Sequence, residues 1–136
     1  MYRLNFNDNT GDIHVIGNLI EYKLGELHCE GESYNELDVL CDDSFVVFLN
    51  EKFKLNIIYN HERLKLINFE LIYTSYDEFY LKMDSLLGYF DKTQFSNKKI
   101  DDVKPYTEYF YNWGVVSVYS DLSLNICFSV RWEKEC

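Results

Sequence analysis

The chain has 136 residues, 47% of them hydrophobic and 26% charged, proportions that suit one globular domain and argue against disorder. Its formal net charge of −10 at pH 7 argues against direct binding to phosphate backbones or anionic membranes, both of which call for lysine and arginine. No apolar run approaches the roughly eighteen residues of a membrane span, and Met1–Asp8 lacks the apolar stretch of a secretory signal, so a cytoplasmic setting is expected.

Taken in chain order, Tyr2–Phe6 and Asp12–Ile16 read as strands joined by the polar turn Asn7–Gly11. Leu19–Leu24 is a weaker strand, and Gly25–Asn35 reads as a loop or edge hairpin. Leu37–Cys41 and Phe45–Leu49 flank the turn Asp42-Asp43-Ser44. Phe53–Tyr59 and Leu64–Tyr73 form a further hairpin. Its second strand is expected to bulge, because the apolar set changes phase between Leu64/Leu66 and Ile67/Phe69/Leu71.

The spacing of Tyr76, Phe79, Tyr80, Met83, Leu86, Leu87 and Phe90 predicts a helix over Tyr76–Phe90, with Ser75 and Glu78 as a capping box. Thr93–Tyr106, polar and rich in lysine, reads as a connection. Trp113–Tyr119 and Leu124–Trp132 are the strongest strands. In the second, Leu124, Ile126, Phe128, Val130 and Trp132 alternate with Asn125, Cys127, Ser129 and Arg131, the pattern of a half-buried antiparallel strand. The expected fold is α+β over residues 1–136 as a single domain. It consists of a mainly antiparallel sheet of about six to eight strands with one principal helix packed on it.

Catalytic and metal motifs are weak. His14, His28 and His61 fall in a strand, an acidic loop and a turn, and each reads best as an ordinary surface or edge histidine. His28 and Cys29 are neighbours that a strand would point to opposite faces, a poor dyad. His28, Cys29 and Cys41 meet no zinc spacing, and no EF-hand order or glycine-rich phosphate loop occurs. No catalytic residue, cofactor or metal is therefore expected. Cys29, Cys41, Cys127 and Cys136 lack framework spacing and read as reduced thiols.

Charge is the informative signal. Residues 1–43 hold ten acids against two bases, whereas residues 44–136 hold thirteen against eleven. Between Lys23 and Lys52 there are eight carboxylates and no lysine or arginine. Like charges held together cost stability unless an opposite charge uses them. The plain alternative is a solvated face. The functional reading is a docking surface for a basic protein, made by Glu26, Glu30, Glu32, Glu36, Asp38, Asp42 and Asp43, with Tyr34 as an uncharged anchor. In extended chain the i, i+2 pairs Glu30/Glu32 and Glu36/Asp38 project from one face about 6–7 Å apart, a spacing that meets lysine and arginine side chains.

With its acidic, aromatic-rich composition and its closing stretch from Asn112-Trp113-Gly114 to Val130-Arg131-Trp132, the chain resembles the immunity proteins of bacterial contact-dependent inhibition and related polymorphic toxin systems. The resemblance implies tight, non-enzymatic binding to one cognate toxin domain, often a nuclease, by blocking its active site or substrate groove. Two alternatives stand beside it. One is a phage or regulatory inhibitor that mimics nucleic acid; the other is a small enzyme or ligand carrier with a pocket between sheet and helix.

Overall fold

The computed structural model describes residues 2–17, 21–24, 45–60, 63–73, 75–101, 103, 106–121 and 123–133. Ten strands are present among them: β1 (Tyr2–Phe6), β2 (Ile13–Ile16), β3 (Glu21–Leu24), β4 (Phe45–Phe48), β5 (Glu51–Asn60), β6 (Arg63–Leu71), β7 (Asn97–Asp101), β8 (Tyr106–Tyr111), β9 (Gly114–Ser120) and β10 (Ile126–Trp132). They form one sheet in the order β3-β2-β1-β4-β5-β6-β10-β9-β8-β7. Every neighbouring pair is antiparallel except β1 and β4, which run parallel. Helix α1 (Phe79–Asp91) follows a 3-10 turn at Tyr76–Glu78. The α+β architecture is as expected, but ten strands exceed the expected six to eight.

Two strands account for much of the excess. The stretch read as a connection contains β7, whose residues are almost all exposed. An edge strand with little to bury carries no alternation, and Lys98 and Lys99 give it the charged character that discourages further pairing. β8 escapes a period-2 reading because aromatics occupy both of its faces: Tyr106 and Phe110 on one, Tyr109 and Tyr111 on the other.

The expected bulge is present. Ile58 pairs with Leu66 and Tyr59 with Leu64, so Lys65 is the extra residue that lets the buried set resume at Ile67. The β4–β5 hairpin closes through Leu49 and Asn50, both at positive φ (54° and 61°), as a two-residue primed turn requires. The expected hairpin at Leu37–Cys41 and Asp42-Asp43-Ser44 lies outside the described residues.

Helix α1 buries Phe79, Met83, Leu86 and Phe90 against the sheet. Tyr76 and Tyr80, read as part of the same stripe, are instead 68% and 78% exposed. The capping box does not form. Ser75 makes no side-chain cap bond, and its backbone carbonyl accepts the Glu78 N–H at 3.1 Å. Leu124 also departs from the expected row, sitting in the β9–β10 turn at φ 61° and exposed. Among the described residues no helix is long and apolar enough to cross a membrane.

The sheet curls around this helix. In a flat sheet β1 and β9 would stand five spacings apart, about 24 Å at about 4.8 Å each. Yet the Phe6 ring at the end of β1 lies 5.8 Å from Trp113, which leads into β9, and 5.9 Å from Phe90 of α1. Phe128 is the hub beneath the helix, stacked on Phe69 at 4.6 Å and within 5.5 Å of Phe48, Phe53 and Phe90. The β1–β2 turn is pinned where the curl closes. The Trp113 indole N–H donates to the Asp8 carbonyl, and that of Trp132 to the Gly11 carbonyl, both at 2.7 Å.

Gly11 sits at φ 76°, and a Cβ added there would fall inside the Trp113 indole. A Cβ added at Gly88, within α1, would meet nothing within 4 Å. Gly11→Ala should therefore destabilise the fold by about 2–4 kcal/mol through strain and overpacking. Gly88→Ala should stabilise it by about 0.5–1 kcal/mol, the helix-propensity gain. Urea unfolding of both variants checks this; equal midpoints would refute the role given to the β1–β2 turn.

Candidate functional site

Strand alternation sends one row of side chains into the core and the other onto the opposite face of the sheet. In the centre of that second face, register places Ser129 opposite Asn68 on one side and Ser117 on the other, with Tyr119 opposite both Cys127 and Tyr106. Asn68, Ser117, Ser129, Tyr106 and Tyr119 border a groove of ≈ 440 Å³, completed by Asn56, Leu66 and Arg131. That volume is in the range of small-molecule sites, about 300–1,000 Å³.

The polar groups of the groove are tied to one another. The Tyr119 hydroxyl donates to Asn68 Oδ1 at 2.7 Å, and the Tyr106 hydroxyl to Ser117 Oγ at 3.3 Å. The two tyrosine rings lie 5.9 Å apart at 38°. Arg131 Nη2 donates to Glu133 Oε1 at 2.8 Å, an exposed pair. Ser117 and Cys127 are buried.

Burial raises the pKa of two groups on this face. It pushes the Cys127 thiol from 9.0 up to about 11, with the carboxylates of Glu70 and Asp121 acting in the same direction. Tyr119 is pushed up to about 12, again mainly by burial. A thiol held neutral near pH 7 is a poor nucleophile. Among the described residues, Arg131 is the one lining residue with a formal charge at that pH. The groove is thus equipped to recognise hydrogen-bonding groups, and the neighbouring Cys127 thiol is not activated for covalent chemistry.

All eight residues of the expected docking surface, Glu26, Glu30, Glu32, Tyr34, Glu36, Asp38, Asp42 and Asp43, lie outside the described residues. So do His28, His61, Cys29, Cys41 and Cys136. His14 stands in β2, half-buried, opposite Asn5 and Lys23 in the ladder. Cys127 is a free thiol. Among the described residues no three His, Cys, Asp or Glu side chains gather as metal ligands would.

The groove itself was only half legible. The polar row Cys127, Ser129, Arg131 is plain in β10, but its partners Asn68, Ser117 and Tyr106 come from strands whose neighbours only the sheet order reveals. Comparison with protein-family models, with curated proteins and with solved structures returns no match.

Two measurements follow. Cys127 should react slowly with an alkylating reagent at pH 8 in the native protein and rapidly once unfolded; equal rates would show an exposed thiolate. Stability should also fall on the alkaline side. For Cys127 the folded value exceeds the ordinary one, so its contribution is complete below pH 9.0 and is lost as pH rises through about 11. Tyr111 and Tyr119 behave alike between 10.0 and about 12. Denaturation midpoints measured from pH 7 to 11 should hold to about pH 9 and then decline; a rise would contradict the burial of these groups.

Proposed function

We propose that this chain is a non-enzymatic acidic binding protein of the immunity type, which neutralises a basic, nuclease-type toxin domain by covering its active site or substrate groove. The observation that carries the reading is the charge asymmetry: ten acids against two bases in residues 1–43, with Tyr34 among them. A surface of that composition attracts a cationic partner from a distance and suppresses encounters with anionic ones. The groove on the second sheet face, lined by hydrogen-bonding side chains, supports recognition of a partner.

The ligand-carrier alternative draws on the same groove. The gap lined by Phe53, Leu71 and Leu86 between sheet and helix, at ≈ 20 Å³, is too small for such a ligand. Nucleic-acid mimicry shares the acidic surface and differs in the identity of the captured protein.

The test begins with affinity capture from the native host and mass spectrometry of what is retained, which should yield a basic toxin domain. Association of that domain should slow as salt rises, since exposed charges are screened within about 10 Å at 0.1 M. Reversing Glu30 and Glu32, or Glu36 and Asp38, to lysine should slow association. Reversing Asp101 and Glu108, an equal change in net charge outside residues 1–43, should have less effect. Tyr34→Ala should act on dissociation, costing about 2 kcal/mol. If the control reversal slows association as much as the paired ones, the acidic run is a solvated face and the docking assignment fails.

A further inference from the structure

A second hollow opens where β6 leaves the sheet. It measures ≈ 240 Å³ and is bordered by Glu70, Leu71, Ile72, Tyr73, Tyr76 and Asn125. Tyr73 and Tyr76 meet edge to face, ring centroids 6.1 Å apart at 86°. Tyr73 is anchored, its hydroxyl donating to the Leu124 carbonyl. Tyr76 is 68% exposed, so its ring is available.

Of the residues that line the hollow, Glu70 is the one that carries a charge. Glu70 makes no ion pair with a described residue, although Lys54 stands opposite it in the ladder. Asp121 is close enough that its charge is felt at the Tyr73 phenol, which burial, Tyr76 and Asp121 together push upward. The Asp121 carboxylate is held by the N–H groups of Ser123 and Asn125 and by the Asn125 amide, bonds that keep it ionised.

The surface continues along α1. Tyr80 and Leu81 are 78% and 70% exposed, and helical spacing puts Asp77 and Asp84 on the same flank. The nearest helical cation, Lys82, belongs to the other flank, where it bonds Glu51 and faces Glu78. Tyr80 and Leu81 thus leave apolar area in water on a helix that buries its opposite face. The carboxylates beside it say what sign of partner fits.

Tyrosine rings next to a carboxylate suit one side chain best. A guanidinium is planar, weakly hydrated and able to stack on a ring while its edge donates to an oxygen, whereas an ammonium offers a point charge. We propose that this hollow receives an arginine side chain of a basic protein partner, stacked on Tyr76 and hydrogen-bonded to Glu70, while Tyr80, Leu81, Asp77 and Asp84 contact the chain around it. The owner of that arginine rests on the basic-partner reading above; the chemistry of the hollow does not.

The full chain, labelled with ¹⁵N, is titrated at low salt with acetyl-Gly-Arg-Gly-amide and with the matching lysine and citrulline peptides. The arginine peptide should shift the amides of Glu70, Tyr73 and Tyr76 saturably, the lysine peptide less, and the neutral citrulline peptide not at all. Tyr76→Ala and Glu70→Gln should each weaken arginine binding by about tenfold, whereas Tyr76→Phe should retain it, because the ring and not the hydroxyl is used. Equal responses to arginine and citrulline, or unchanged binding by Tyr76→Ala, would overturn the assignment; the unperturbed remainder of the spectrum certifies that each variant is folded.

The captured partner separates the two ideas. If it binds the Tyr76→Ala chain as tightly as wild type yet loses affinity on reversal of Glu30 and Glu32, the hollow is removed and the basic-partner reading stands. Arginine-selective binding here by a chain whose captured partner is acidic keeps the hollow and removes that reading.

Discussion

The fold depends on the closure made by the β1–β2 turn against Trp113 and Trp132. Without it the ten-stranded sheet would stay open, and Phe6, Tyr111 and Phe90 would lose the aromatic neighbours that fill the space at the C-terminal end of α1. Two indole N–H groups must find acceptors as their rings leave water, and both find carbonyls of the same short turn. Gly11 is the element that permits the approach, because any side chain there would occupy the indole's place.

Closure also anchors the helix at a defined depth. The Tyr109 hydroxyl donates to the Leu87 carbonyl and to Asp91, and Asp91 is bonded in turn by Lys98 of the edge strand. Burial works against the Asp91 charge, but the bonds from Lys98 and Tyr109 outweigh it and its carboxyl stays below the usual range. The Thr93 and Tyr111 hydroxyls meet at 2.6 Å just beyond the helix. Polar partners thus fix the end of a helix whose inner face is held by non-directional aromatic contacts.

The electrostatics of the described residues are local. Lys82 is matched by Glu51, Lys98 by Asp91 and Arg131 by Glu133. Residues 1–43 hold ten acids against two bases. By composition, most of the formal net negative charge lies in the first third of the sequence.

Strict alternation in Ile126–Trp132 and 3.6-residue periodicity in Phe79–Phe90 made β10 and α1 readable from the chain, because each pattern reports burial of one face. The bulge opposite Ile58 was readable for the same reason. β7 and β8 were not, since one buries too little and the other is aromatic on both faces. The sequence by itself determined the acidic imbalance, the antiparallel α+β class and the principal helix, all properties that depend on composition or on near neighbours. Only the tertiary structure decided that Tyr76 and Tyr80 face outward and that Asn68, Ser117 and Tyr106 share a groove. It alone decided, too, that Phe6 meets Trp113 across more than a hundred residues of chain. Strand order and sheet curvature are set by the packing of the whole core, and no local pattern encodes which distant strands become neighbours.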